Sequence, residues 1–316
     1  MKKNIYFLIL FLLSIQVTTA QYTETINSNR PGESETAFSV GTNVAQIELG
    51  FSLINNEHTL LNYEVAGFGI DFSARYGVWK EELEVSVDGF YQNDTFTNNS
   101  STIPAENKRS NFSRFTIGAK YLVYDPHKNA GEKKPNLYSY HANYRFNLKS
   151  LIPAVSVFAG ANFNTENNPF IAPGLEGISP KIGIATQHNW NGGWVLVTNF
   201  IANHLFTTPV NEEQLKLVYG EDYSVTEFQY LITLTHAFNP KLVVFAETQG
   251  IKSDFYSDNL FRLGGAYLIN KNFQLDANYT FNSKDTPTVT NINFGASYRF
   301  DFHKDKVQKE RERSEF

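Results

Sequence analysis

Ala45-Gln46-Ile47-Glu48-Leu49-Gly50-Phe51-Ser52-Leu53 alternates without a break: every odd position is apolar and every even one is polar or glycine. Successive side chains of an extended strand point to opposite faces, so this stretch has one oily and one polar side. Phe68 to Tyr76 repeats the pattern, with Phe68, Ile70, Phe72, Ala74 and Tyr76 set against Gly69, Asp71, Ser73 and Arg75. Leu83 to Tyr91 does so again, placing Leu83, Val85, Val87 and Tyr91 opposite Glu84, Ser86 and Asp88. A soluble sandwich alternates too. Length separates the cases, because strands of globular proteins run about 5–6 residues whereas a tilted strand crossing a bilayer takes about 9–11. These stretches belong to the longer class, which turns their aromatic-rich face to lipid.

Working outward, similar segments lie near residues 113–124, 152–163, 180–190, 194–206, 226–238, 241–252, 260–269, 273–281 and 291–302, giving twelve in all. An even number lets an up-and-down antiparallel sheet close with both chain ends on one side, and closure satisfies every backbone polar group inside the bilayer. Connections alternate in length. Residues 77–82, 191–193, 239–240 and 270–272 are tight turns rich in Gly, Asn and Pro, whereas 54–62, 93–111, 164–178, 207–224, 253–259 and 282–290 are longer polar loops. The sequence therefore predicts an all-β fold: a closed antiparallel up-and-down transmembrane β-barrel with short periplasmic turns and longer extracellular loops. One connection on the short side breaks the pattern. Residues 126–150 read equally as a short interfacial helix, from Leu137, Tyr140, Tyr144 and Leu148, or as a hairpin prolonging its flanking strands.

Composition agrees with this. The 316 residues are 41% hydrophobic and 15% aromatic, yet the mean hydropathy is -0.33 and the one sizeable apolar run is at the N-terminus, which excludes a bundle of transmembrane helices. No cysteine is present, so disulfides, thiolate metal sites and a cysteine nucleophile are all excluded. Met1-Lys2-Lys3, the apolar Ile5 to Ile15 and Val17-Thr18-Thr19-Ala20 form a cleavable secretory signal over 1–20. Its removal takes two lysines with it and moves the net charge from -5 to -7, so nucleic acid is not an expected partner. After it come a periplasmic N-terminal segment, 21–40, the barrel, 41–302, and a charged periplasmic tail, 303–316.

By parity the lumen receives Glu48, Asp71, Arg75, Glu84, Asp88, Arg114, Lys120, Lys181, Glu227, Gln229, Glu247, Gln249, Arg262, Asp276, Asn278, Arg299 and Asp301. Both signs are represented, which allows cross-strand ion pairs that narrow the interior or a polar constriction that selects solutes. Arg30, with Glu33 and Glu35, stands before the first strand at a Pro31-Gly32 turn. It is expected to pair with a lumen acid such as Glu48, either as a plug in the periplasmic mouth or as an ordinary entry turn pinned by one salt bridge. His188 and His236 fall near tight turns, at the lipid–water interface. Gly-x-Ser-x-Gly and His-Glu-x-x-His motifs are absent, and no catalytic residue, metal or cofactor is expected.

The last segment, Ile292 to Phe302, puts Tyr298, Phe300 and Phe302 on one face and resembles the aromatic terminal strand by which outer-membrane barrels are recognised for assembly. Thr25-Ile26-Asn27-Ser28-Asn29-Arg30-Pro31-Gly32-Glu33-Ser34-Glu35 and Gln46-Ile47-Glu48-Leu49-Gly50 resemble the opening of transporter-like barrels grouped under the meta-pathway of phenol degradation. Those begin with an Asp-Arg-Pro motif; here Asn29 replaces the acid. Residues 118–126, 151–156 and 179–183 look like members common in Bacteroidetes. The resemblance implies an outer-membrane barrel in contact with outer-membrane lipid and the barrel-assembly machinery. It also implies a transport role, with family substrates poorly defined; with the polar lumen read above, the expected function is passive passage of small solutes, hydrophobic or aromatic ones included. A closed barrel with a structural or assembly role and, last, an outer-membrane lipid hydrolase are the alternatives.

Overall fold

The structure, a computed structural model, describes residues 25–126, 151–190 and 192–303. The signal segment 1–20, the stretch 127–150 that the sequence leaves open between helix and hairpin, and the tail 304–316 lie outside the described residues. Twelve strands form: β1 (Val44–His58), β2 (Tyr63–Gly77), β3 (Leu83–Asn98), β4 (Ala105–Tyr124), β5 (Ala154–Asn164) and β6 (Gly177–Trp190), then β7 (Trp194–Asn203), β8 (Glu227–Ala237), β9 (Leu242–Lys252), β10 (Ser257–Asn270), β11 (Phe273–Asn282) and β12 (Thr288–Asp301). Each pairs antiparallel with the next, and β12 returns to β1, from Val44 opposite Asp301 to Glu57 opposite Thr288. A short helix, α1 (Glu212–Tyr219), sits in the β7–β8 connection.

Burial is inverted relative to a soluble sheet. Glu48 is 1% exposed and its neighbour Leu49 54%; the polar face of β1 is enclosed and the apolar face is outside. Such a chain is stable only where lipid replaces water around the apolar belt. At the turn end Trp190 and Trp194 are paired across the β6–β7 hairpin, His236 packs at a tilt against Trp194 at 4.2 Å and His188 lies 5.7 Å from Trp190, forming part of an interfacial girdle. An arginine at Leu49, mid-strand and flanked by Phe72 and Ala296, is expected to destabilise the barrel by about 2–4 kcal/mol, the cost of a cation on the lipid face near the midplane. Denaturant titration of the barrel folded into vesicles checks this.

Strand ends differ from the sequence expectation at the loop end. Residues 54–58 and 93–98 are strand, so the expected loops 54–62 and 93–111 shrink to connections at 59–62 and 99–104. Above the membrane both faces of a hairpin meet water, so polar side chains hide the strand. There the Tyr63 ring packs at a tilt against Phe96 at 4.8 Å and His58 at 4.9 Å. The true loops at this end are 165–176 and 204–226, which pack together through Leu175, Tyr223 and Val225 over the mouth.

Candidate functional site

The segment before β1 runs inside the barrel. It is tied at the turn end, where the Ile26 N–H donates to Lys271 O at 2.9 Å, and leaves through a parallel bridge between Thr42 and Gly77. Between these points it lacks a neighbouring strand, yet buried peptide groups must find partners. Lumen side chains supply them. Glu247 accepts from the Glu33 and Ser34 N–H groups, at 3.1 and 3.2 Å. Asn199 accepts from Glu35 N at 2.7 Å and donates back to Glu35 O at 2.8 Å, imitating a sheet contact. Gln187 receives Ala37 N, Glu84 receives Val40 N, and Lys120 donates to Thr36 O. Asn29 Oδ1 accepts the Thr36 N–H at 3.2 Å, a bond that the aspartate of the resembled motif would also make.

Arg30 is the anchor. Cross-strand register aligns Asp71 of β2, Gly50 of β1, Gly295 of β12 and Asp276 of β11 in one row, acid-glycine-glycine-acid. The guanidinium lies flat over the two glycines, where a Cβ at either position would overlap it. Its ends reach Asp71 at 2.7 Å and Asp276 at 3.1 Å, with Nε also donating to Asp276. Planar, multi-donor recognition of this kind suits arginine and not lysine. The Glu48 side chain, the expected partner, instead accepts the Arg30 backbone N–H at 3.2 Å and is paired by Arg75 at 2.8 Å. Arg75 continues to Glu84, and Glu84 to Lys120 at 2.7 Å. Such buried chains are held by completeness, since removing one member strands the others.

Above this plug is a cavity of about 570 Å³. Of the twelve strand residues assigned to a solute pathway, Glu48, Asp71, Asp88, Arg114 and Glu227 line it; Arg75, Glu84, Lys120, Glu247, Arg262, Asp276 and Arg299 do not, being enclosed in contacts below or beside it. Glu33 lies at the cavity floor, bound to Arg114 at 2.9 Å, and Glu35 lies 3.9 Å from Lys181. The interior is less polar than parity suggests. Phe158, Ala185, Ile201 and Leu231 form an apolar inner wall on β5–β8, and Phe170, Ile171, Leu175, Val225, Phe255 and Leu260 line the upper cavity. Arg109 pins part of this roof, bidentate on Asp94 at 2.8 and 3.0 Å while its guanidinium lies between Phe96 and Phe170.

A lipid hydrolase needs a serine and a basic histidine reachable by lipid. Ser179 Oγ and His204 Nδ1 do touch, at 2.7 Å, but Ser179 is fully buried and faces inward, where it also accepts Asn164 Nδ2. Burial and then the nearby Lys181 push His204 down to about 4. It is neutral at physiological pH and too weak a base for that role. Among the described residues no cluster of three metal-ligating side chains occurs.

Fold and interior together define a plugged, lipid-embedded twelve-stranded β-barrel. The chain belongs to the family described as "Putative MetA-pathway of phenol degradation", whose model matches residues 28–300 and so includes the Arg30 segment. An outer-membrane channel from Pseudomonas putida F1 superposes with a TM-score of 0.52 at 9% identity, over 87% of this chain and 100% of that one. The Pseudomonas putida toluene transporter TodX gives 0.45 at 10% identity, over 92% and 96%. The transport unit of the Escherichia coli autotransporter AIDA-I gives 0.47 at 10%, over 87% and 93%. These likenesses concern shape. No curated protein matches the chain significantly in sequence.

Proposed function

We propose that this protein is an outer-membrane channel for passive entry of small solutes, hydrophobic or aromatic ones among them, with residues 26–42 as its periplasmic gate. The cavity carries this reading: an apolar upper wall beneath the extracellular loops, ending on a floor made by a segment that is held by hydrogen bonds and ion pairs to lumen side chains and not by a place in the sheet. An apolar upper wall beside polar and charged groups fits a small aromatic solute that carries a polar group. Delivery would follow cleavage after Ala20 and insertion by the barrel-assembly machinery, to which the aromatic end of β12 is presented.

The competing reading is a permanently closed barrel without flux, favoured by the number of bonds holding the plug. Swelling of liposomes containing the folded protein in toluene, phenol and sugar solutions separates the two. Uptake of the aromatics above that of protein-free liposomes is expected. No uptake of any solute, together with no current in planar bilayers, would leave the closed barrel.

A further inference from the structure

We propose that the channel discriminates by charge, admitting cationic and neutral solutes and turning back anions, and that Asp88 and Glu227 set the preference. This rests on the channel reading above. Three cations and six carboxylates line the cavity, and the cations are already engaged. Arg30 is held between Asp71 and Asp276, Arg114 between Glu33 and Asp71, and Lys181 lies over the Phe158 ring near Glu35. Asp88 and Glu227 differ from the other acids. Among the described residues neither has a cation within ion-pair distance: Asp88 accepts the Ser73 and Ser86 hydroxyls, at 2.7 and 3.0 Å, and Glu227 accepts Asn203 Nδ2 and Gln229 Nε2, at 3.1 and 2.6 Å. Their hydrogen-bond partners are neutral donors, so no ion pair within contact distance cancels their charge. His204, neutral at physiological pH, adds no compensating cation to the wall.

The approach to the cavity independently has the same sign. The loop-end connections 59–62, 99–104, 165–176, 204–226, 253–256 and 283–287 contain eight Asp or Glu against two Lys, four of the acids falling in 204–226. Fixed charge of one sign at a mouth, continued by unneutralised charge in a low-dielectric passage, concentrates counter-ions and repels co-ions. A small organic ammonium would meet attraction from the loops to the floor. An aromatic carboxylate of the same size would meet repulsion along the whole path.

The test is the reversal potential of the full-length folded protein in planar bilayers across a KCl gradient. Potassium is expected to permeate severalfold better than chloride, and the double variant Asp88→Asn, Glu227→Gln is expected to remove most of that difference. Equal or chloride-favouring permeation in the intact protein, or an unchanged ratio in the double variant, overturns the proposal. Should the double variant not fold, judged by heat-modifiable gel mobility, each single variant carries the same expectation at about half the effect on a logarithmic scale, by additivity of separated sites. If the intact protein passes no current, the channel reading has failed, and calorimetric titration with benzylammonium and benzoate then decides the charge reading alone. Tighter benzylammonium binding supports it and equal or tighter benzoate binding refutes it.

Discussion

Replacing Arg30 by alanine is expected to convert a mostly closed channel into a mostly open one. The substitution deletes the side chain that ties β2 to β11 along one row of the wall and leaves Asp71 and Asp276 without their shared cation. Breaking a desolvated pair costs about 3–5 kcal/mol. Asp71 keeps 16% of its side-chain surface exposed and retains Arg114 at 3.4 Å, so the lower end of that range applies. About 3 kcal/mol shifts the plug equilibrium on the order of 10²-fold toward the released state. Single-channel recording checks it: open probability should rise steeply for Arg30→Ala, and Arg30→Lys should fall between, since an ammonium cannot span both acids.

Gly295→Ala should have an effect of comparable size from beneath the guanidinium. A single Cβ there overlaps the Arg30 guanidinium, so the arginine must leave its bed or the strand must shift. In an ordinary strand the same change is mildly favourable, because glycine costs entropy and packs nothing. The sign therefore depends on Arg30. With Arg30 present, the variant is expected to open the channel; in the Arg30→Ala background it should leave gating unchanged and slightly stabilise the barrel. That reversal is a double-mutant coupling that general damage to β12 would not produce.

The barrel was legible because a period of two survives in most of the membrane-crossing stretches, however polar the whole chain is. The inward set followed from parity alone, down to Glu84 and Arg299, which lie far apart in sequence and share one interior. What could not be read is the partner of Arg30. The row that holds it joins position 50 to 295 and 71 to 276, and exists only once β12 has closed on β1. In the sequence the glycines at 50 and 295 are only side-chain-free positions on the polar face; in the closed barrel they are the floor under a side chain. The apolar inner wall was missed for a related reason. On β5 the inward register Ala154, Ser156, Phe158 mixes polarities, so alternation alone does not place Phe158 inside. The extended hairpins β1–β2 and β3–β4 were hidden because water bathes both of their faces.

That the N-terminal segment fills the lumen is tested most directly by thiol protection, for which the absence of native cysteine is convenient. Ala37, within the plug, is fully buried against Leu122 and Ala154 of the barrel wall, whereas Ser101 stands in an exposed turn. In the folded barrel, Ala37→Cys should react with a maleimide far more slowly than Ser101→Cys, and adding Arg30→Ala should remove much of that protection. Equal labelling rates for Ala37→Cys and Ser101→Cys in the otherwise native chain would contradict a plugged lumen.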